Sequence, residues 1–335
     1  LLCHGFHISR LFSKQETVFG PVVPIGSRGS LIINSTFFIM QRFKFYLLVL
    51  SGLLLFLSGC DAQNRYLRLR YGVYRTIDAN RTSDRSSVEK NGYVLVLNET
   101  FDRISWNETG DENHWKVGGS NMYHPRRLNV HYGPPELRKG GYAAFTAKYN
   151  PKEIYVYQLD SVIEFPYEVS KLFSYNFIEQ QYGWFECRMT LPYAKHSWPA
   201  FWLWGAPWPP EIDVIEAYGR ETGEDVIYQE INIHYGTQSD PRQTGSWPIK
   251  IGRPKNIGAE FYEFAVEWTP EKIDFYTNGV LIYRFDDQEI LDTWFSQPMW
   301  VVVNNSIRHA GFEELGEAYY SEFLVDYIRI YELKE

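Results

Sequence analysis

The sequence predicts an all-β fold, a sandwich of two antiparallel sheets. From Tyr93 to Tyr331 the apolar residues come in short runs, most of them alternating with polar ones and set apart by Gly, Pro and Asn. Asn278-Gly279 stands between two such runs and is a strong hairpin signal. No long helical period occurs outside the leader.

The first methionine is Met40, and residues 1–39 show no sustained periodicity. They read as upstream sequence outside the protein, or as a poorly ordered native extension. Residues 40–59 read as a lipoprotein signal peptide. Arg42 and Lys44 give it a positive start, and the apolar run Phe45 to Leu57 is too short to span a membrane comfortably. Leu57-Ser58-Gly59-Cys60 resembles a bacterial lipobox, with Cys60 as the lipidated residue. The plainer alternative is an ordinary signal peptide with an incidental cysteine. The expectation is an exported bacterial lipoprotein, anchored through lipid on Cys60 at the outer membrane or cell surface. Residues 60–92 read as a solvated tether, basic through Arg65, Arg68, Arg70, Arg75, Arg81 and Arg85; Tyr66 to Tyr74 alternates enough for an extra strand.

Residues 93–335 form the globular part, with no internal repeat and no second domain. Its strands are Tyr93 to Leu97, Leu128 to His131, Tyr142 to Ala147, a run from Tyr182, a run from Trp198, an acidic run from Glu211, and Glu230 to His234. Phe264 to Trp268, Ile273 to Tyr276, Val280 to Phe285, Trp300 to Asn304 and Phe323 to Tyr331 complete them. Of three cysteines, Cys3 lies in the leader and Cys60 carries lipid, so no intramolecular disulfide is expected and Cys187 is buried filler. The net charge of −8 excludes nucleic acid as the main partner. A monomer is expected.

The acidic run Glu211-Ile212-Asp213-Val214-Ile215-Glu216 is the candidate site. On a strand Glu211 and Asp213 share a face, and Glu216 breaks that parity unless one residue is inserted. A β-bulge at Val214-Ile215 restores it. Crowded carboxylates hold a proton near neutral pH, so one residue type supplies the acid and the base that glycosidic cleavage needs. Strand rise puts Glu211 and Glu216 about 12 Å apart at Cα, and inward-leaning side chains close to the ~5–5.5 Å of a retaining glycosidase. The plainer readings are a solvated acidic face or a calcium site.

Aromatic residues make up 17% of the chain. Trp198, Trp202 and Trp204 alternate along one strand face, and Trp208 precedes the acids. Trp198, Trp202 and Trp208 are expected to border a sugar cleft, with Phe201 and Leu203 between the sheets and Trp268 and Trp300 in the core. Pro241 to Ile257 carries Arg242, Lys250, Arg253 and Lys255, which reads as a solvated loop or as one that meets sulfate or carboxylate over the cleft.

The ordered set Tyr182-Gly183-Trp184-Phe185-Glu186, Trp198-Pro199-Ala200-Phe201-Trp202, the acidic run, His234-Tyr235-Gly236, Phe264-Ala265-Val266-Glu267-Trp268 and Asp326-Tyr327-Ile328-Arg329 resembles glycoside hydrolase family 16, the laminarinase, agarase and carrageenase relatives. The resemblance covers roughly residues 93 to 333. It implies a concanavalin A-like β-jelly-roll with a cleft on its concave face and a retaining endo-glycosidase acting on a polysaccharide, either a β-glucan or a marine or sulfated galactan. It implies Glu211 as nucleophile, Glu216 as acid/base and Asp213 as the residue that holds Glu211. His234 corresponds to a histidine near the family's acid/base, Asn304 to a late-strand asparagine, and Asp326 to an aspartate that can ligate structural calcium. No organic cofactor is required. The alternatives are a transglycosylase and a non-catalytic carbohydrate-binding sandwich.

Overall fold

The structure, a computed structural model, describes residues 89–107, 115–118, 130–192, 194–218, 227–245, 249–251, 260–308 and 315–334. The expected extension, signal peptide, Cys60 and all but the last residues of the tether lie outside these, as do Arg253 and Lys255.

In chain order the strands are β1 (Tyr93–Glu99), β2 (Trp106–Asn107), β3 (Trp115–Val117), β4 (Val130–Gly133), β5 (Glu136–Arg138), β6 (Tyr142–Val156), β7 (Ser161–Phe173), β8 (Gly183–Met189) and β9 (Ala200–Trp204). Then come β10 (Glu211–Ala217), β11 (Ile227–Thr237), β12 (Asp240–Gly245), β13 (Ile249–Ile251), β14 (Tyr262–Trp268), β15 (Ile273–Thr277), β16 (Val280–Phe285), β17 (Trp300–Asn304) and β18 (Tyr320–Leu333). Among the described residues one α-helix, α1 (Gln288–Trp294), is capped by the Asp287 carboxylate, which accepts from the Ile290 amide.

The strands form two layers. The site layer runs β12/β13, β11, β10, β9, β17, β7, β3, β2. The second layer runs β16, β15, β14, β8, β18, and the far edge of β18 is shared by β1 and by β6, which leads on to β7 and β4. β7 therefore belongs to both layers: up to Ser170 it pairs with β6 and β4, and Lys171 to Phe173 pair with β17. The pairing is antiparallel, as expected, with β2–β3 and β4–β7 as parallel additions at this edge.

Period-two alternation builds the core. Phe201 and Leu203 of β9, Ile212 of β10 and Ile231 and Ile233 of β11 meet Phe185, Cys187 and Met189 of β8 and Phe264, Val266 and Trp268 of β14. Cys187 is a free buried thiol, as expected. Asn278 and Gly279 both take positive φ, 49° and 70°, the conformation of a type I′ turn between β15 and β16. Gly183 sits at φ +128°, and a Cβ there would lie 2.1 Å from the Tyr331 carbonyl oxygen, so β8 can approach β18 only through glycine. The β6–β7 hairpin runs well past the expected Ala147, because polar Lys148 to Glu153 conceal the strand and Pro151 falls in a register shift between Tyr149 and Lys152.

One expectation for the core changes. Trp300 leaves the core: it pairs with Trp204 on the outer face of the site layer and packs against Phe173, Tyr175 and Trp204. The Asp326 carboxylate, expected as a possible calcium ligand, accepts through one oxygen from the Arg188 guanidinium at 2.6 Å while almost fully buried.

Candidate active site

The bulge sets the geometry. Asp213 lies opposite Asn232 and Glu216 opposite Glu230, so β10 takes three steps where β11 takes two. On the other side Asp213 faces Trp202 and Ile215 faces Phe201, which makes Val214 the inserted residue. Ile212, Val214 and Ile215 all point into the core, and the three acids share the opposite face. The Val214 carbonyl, displaced from the ladder, accepts a hydrogen bond from the Gln229 side-chain amide at 3.0 Å. Gln229 is fully buried, and its own oxygen accepts from the Thr277 hydroxyl of the second layer at 2.6 Å.

Three rows cross the strands on this face. Trp204, Glu211 and His234 form one, Trp202, Asp213 and Asn232 the next, and Ala200, Glu216 and Glu230 the third. Cavities of about 370 and 580 Å³ flank the acids, and both are lined by Trp198, Glu211 and Glu216. The predicted cleft tryptophans all lie here, and the structure gives each a polar task. The Trp208 indole donates to Glu211 Oε2 at 2.8 Å, Trp198 to Glu216 Oε1 at 2.9 Å and Trp202 to Asn304 Oδ1 at 2.8 Å. Asn304 lines the smaller cavity.

His234 is placed differently from the expectation. Its Nε2 lies 3.1 Å from Asp213 Oδ2 and 3.4 Å from Glu211 Oε1, on the Glu211 side and not beside Glu216. The cause is register, since His234 pairs with Glu211 across β10 and β11. Glu216 is held by Asn232, whose amide donates to Oε2 at 2.6 Å, and Asn232 in turn accepts from Gln243 at 2.6 Å. Asn232 could have been found from sequence, because it lies two residues before His234 on the same strand face. Arg242, expected in a loop, lies on strand β12, lines the larger cavity and pairs with Asp240 at 3.1 Å.

Burial and the neighbouring Asp213 charge push the Glu211 carboxyl up to about 8, against the pull of His234 and of the Trp208 hydrogen bond. Asp213 is raised well above the usual carboxylate range by burial and by Glu216. Repulsion between these neighbouring buried carboxyls disfavours ionising both at once, so one of the pair holds a proton near neutral pH. When it rests on Asp213, repulsion on Glu211 falls and the indole and imidazole favour an ionised Glu211. Glu211, Asp213 and His234 also present ligand atoms within 4.8 Å of one another, so these three could hold a cation.

Acids from one bulged strand, set in a tryptophan-lined cleft on a β-sandwich, make the arrangement of a glycoside hydrolase. The chain belongs to the glycosyl hydrolases family 16, whose family model matches residues 142–321. A beta-glucanase of Rhodothermus marinus is 31% identical over 170 residues, which cover 45% of this chain and 57% of that protein. The chain thus spans little more than half the length of that relative, and it spans 34% of the endo-1,3-1,4-beta-glycanase ExsH of Rhizobium meliloti, 31% identical over 172 residues that make up 50% of this chain. A solved structure of an endo-acting O-glycanase of the human gut microbiota has the same fold, with a TM-score of 0.58, 20% identity and coverage of 76% of this chain and 94% of that one.

Proposed function

We propose that the chain is a retaining endo-glycosidase that hydrolyses internal β-glycosidic bonds of a polysaccharide by double displacement. The observation that carries this is the Val214 bulge, which returns Glu216 to the face of Glu211. Glu211 attacks the anomeric carbon, and Glu216 gives its proton to the departing glycosidic oxygen. Glu216 then takes a proton from water, which attacks the glycosyl-enzyme and frees Glu211. Asp213 keeps the shared proton, so that Glu211 meets the sugar as a carboxylate. Names of relatives support a β-glucan or, through the beta-agarases among them, a galactan as substrate.

The test begins with reducing-end release from laminarin, mixed-linkage glucan, agarose, porphyran, carrageenan and mucin. An aryl glycoside of the cleaved sugar is then given to two variants in azide. Glu211→Gly should form the glycosyl azide of inverted configuration, since azide enters directly. Glu216→Ala should form the retained one, since azide intercepts the glycosyl-enzyme. Products of the opposite configurations refute the assignment. We also propose export and anchoring through lipid on Cys60, tested by membrane fractionation of wild type and Cys60→Ala; equal partition of the two refutes the anchor.

A further inference from the structure

We propose that Lys171 forms a subsite for an anionic substituent, a sulfate ester or a carboxylate, on the sugar that lies over Trp202. The inference rests on the glycan-cleaving role of the cleft and names the chemistry of its substrate. Lys171 stands where β7 passes into the site layer, opposite Asn304, and Ala200 and Glu216 continue the same row. Its side chain lines the cleft with Tyr132, Trp202 and Asn304. The ammonium nitrogen faces aromatic rings, 4.9 Å from the centroid of Tyr132, 5.6 Å from Trp202 and 5.8 Å from Phe173.

Among the described residues, three of the four other partly buried lysines have carboxylates, Lys116 being the exception. Lys90 pairs with Glu186 at 2.8 Å, Lys148 with Glu136 at 3.2 Å, and Lys272 with both Glu267 and Asp274 at 2.7 Å. Among the described residues Lys171 has no carboxylate within ion-pair distance. Ring faces replace only part of the hydration that burial removes from an ammonium. Burial accordingly lowers Lys171 to about 8, and Glu211 is the acid whose charge opposes this. Glu211 belongs to the reacting centre and cannot serve as a permanent counter-ion. An anionic group on the bound sugar would complete the cage with a short charge-assisted bond.

The experiment titrates tryptophan fluorescence in the Glu216→Gln background, where turnover is suppressed. The probes are oligosaccharides of porphyran, carrageenan and sulfated mucin glycans, each paired with its desulfated counterpart, together with glucuronan and glucan oligosaccharides as the carboxylate pair. At least one anionic member should bind about tenfold tighter or more than its neutral partner. Lys171→Met should abolish that preference and leave the neutral affinity within twofold, whereas Lys171→Arg should keep it. No preference in any pair, or one that survives Lys171→Met, overturns the proposal. Selective binding by a chain that cleaves no glycan would refute the glycosidase reading and leave this subsite standing.

Discussion

The Gln229 side-chain amide donates to the Val214 carbonyl oxygen at 3.0 Å, inside the core and behind the catalytic strand. The bulge that turns Glu216 into the cleft thus depends on a residue that touches neither the acids nor any sugar. Replacing it tests that dependence. Gln229→Leu leaves the Val214 carbonyl and the Thr277 hydroxyl without their present partner in a dry interior, at a cost of about 1–3 kcal/mol. Denaturant unfolding should show that loss, and kcat should fall with it because the bulge relaxes. Lost stability with unchanged kcat would mean that the bulge holds without Gln229.

Trp208 acts on Glu211, the proposed nucleophile, through one hydrogen bond. Its indole donates to Glu211 Oε2, and this bond lowers the Glu211 pKa, opposing the burial that raises it to about 8. Trp208→Phe keeps an aromatic ring and removes the donor, so the Glu211 pKa should rise further. The acidic limb of kcat/KM should therefore move to higher pH, while the alkaline limb stays in place. A limb that does not move would show that Glu211 is not the group titrating there.

The catalytic strand was legible in the sequence because parity alone demanded an inserted residue between Asp213 and Glu216. Which residue is inserted was not legible, since that follows from the registers of two neighbouring strands. Gln229 and Thr277 were hidden for the same reason: their partners come from other strands, and Thr277 lies in the other layer. Trp300 misled because a tryptophan amid valines reads as core, whereas its alternation with Val301 turns it to the outer face. The ion pair of Asp326 with Arg188 was not legible, because Arg188 lies far away in sequence and meets it only across β8 and β18. Lys171 was passed over, since one lysine in an alternating run looks solvated until the strand is seen to enter the cleft layer.

The buried acids also tie stability to pH. Folding raises the Glu211 pKa from its ordinary 4.5 to about 8 and raises Asp213 as well, so across this window the folded chain binds more protons than the unfolded one. Stability from these groups is full below the unfolded values and is lost as pH rises towards about 8. Glu211→Gln removes most of the Glu211 part of that slope. Its unfolding free energy from urea titration should match wild type near pH 4.5 and exceed it near pH 8, by an amount on the order of a few kcal/mol. A difference independent of pH would refute the raised pKa.

Glu216 has a donor on each oxygen, Trp198 at 2.9 Å and Asn232 at 2.6 Å, which fixes the plane of its carboxyl group. Asn232 can donate only while its amide keeps its present orientation, and Gln243 secures this by donating to the Asn232 oxygen at 2.6 Å. Gln243→Met removes that restraint and should lower kcat about tenfold with KM little changed, since only the geometry of proton transfer suffers. Gln243→Glu should be worse, because a carboxylate facing the Asn232 oxygen favours the flipped amide and turns that oxygen towards Glu216. Equal activity of the two variants would mean that the orientation of Asn232 does not depend on residue 243. Gln243 is exposed, so neither change should alter the thermal midpoint appreciably, and the kinetic readout is free of folding effects.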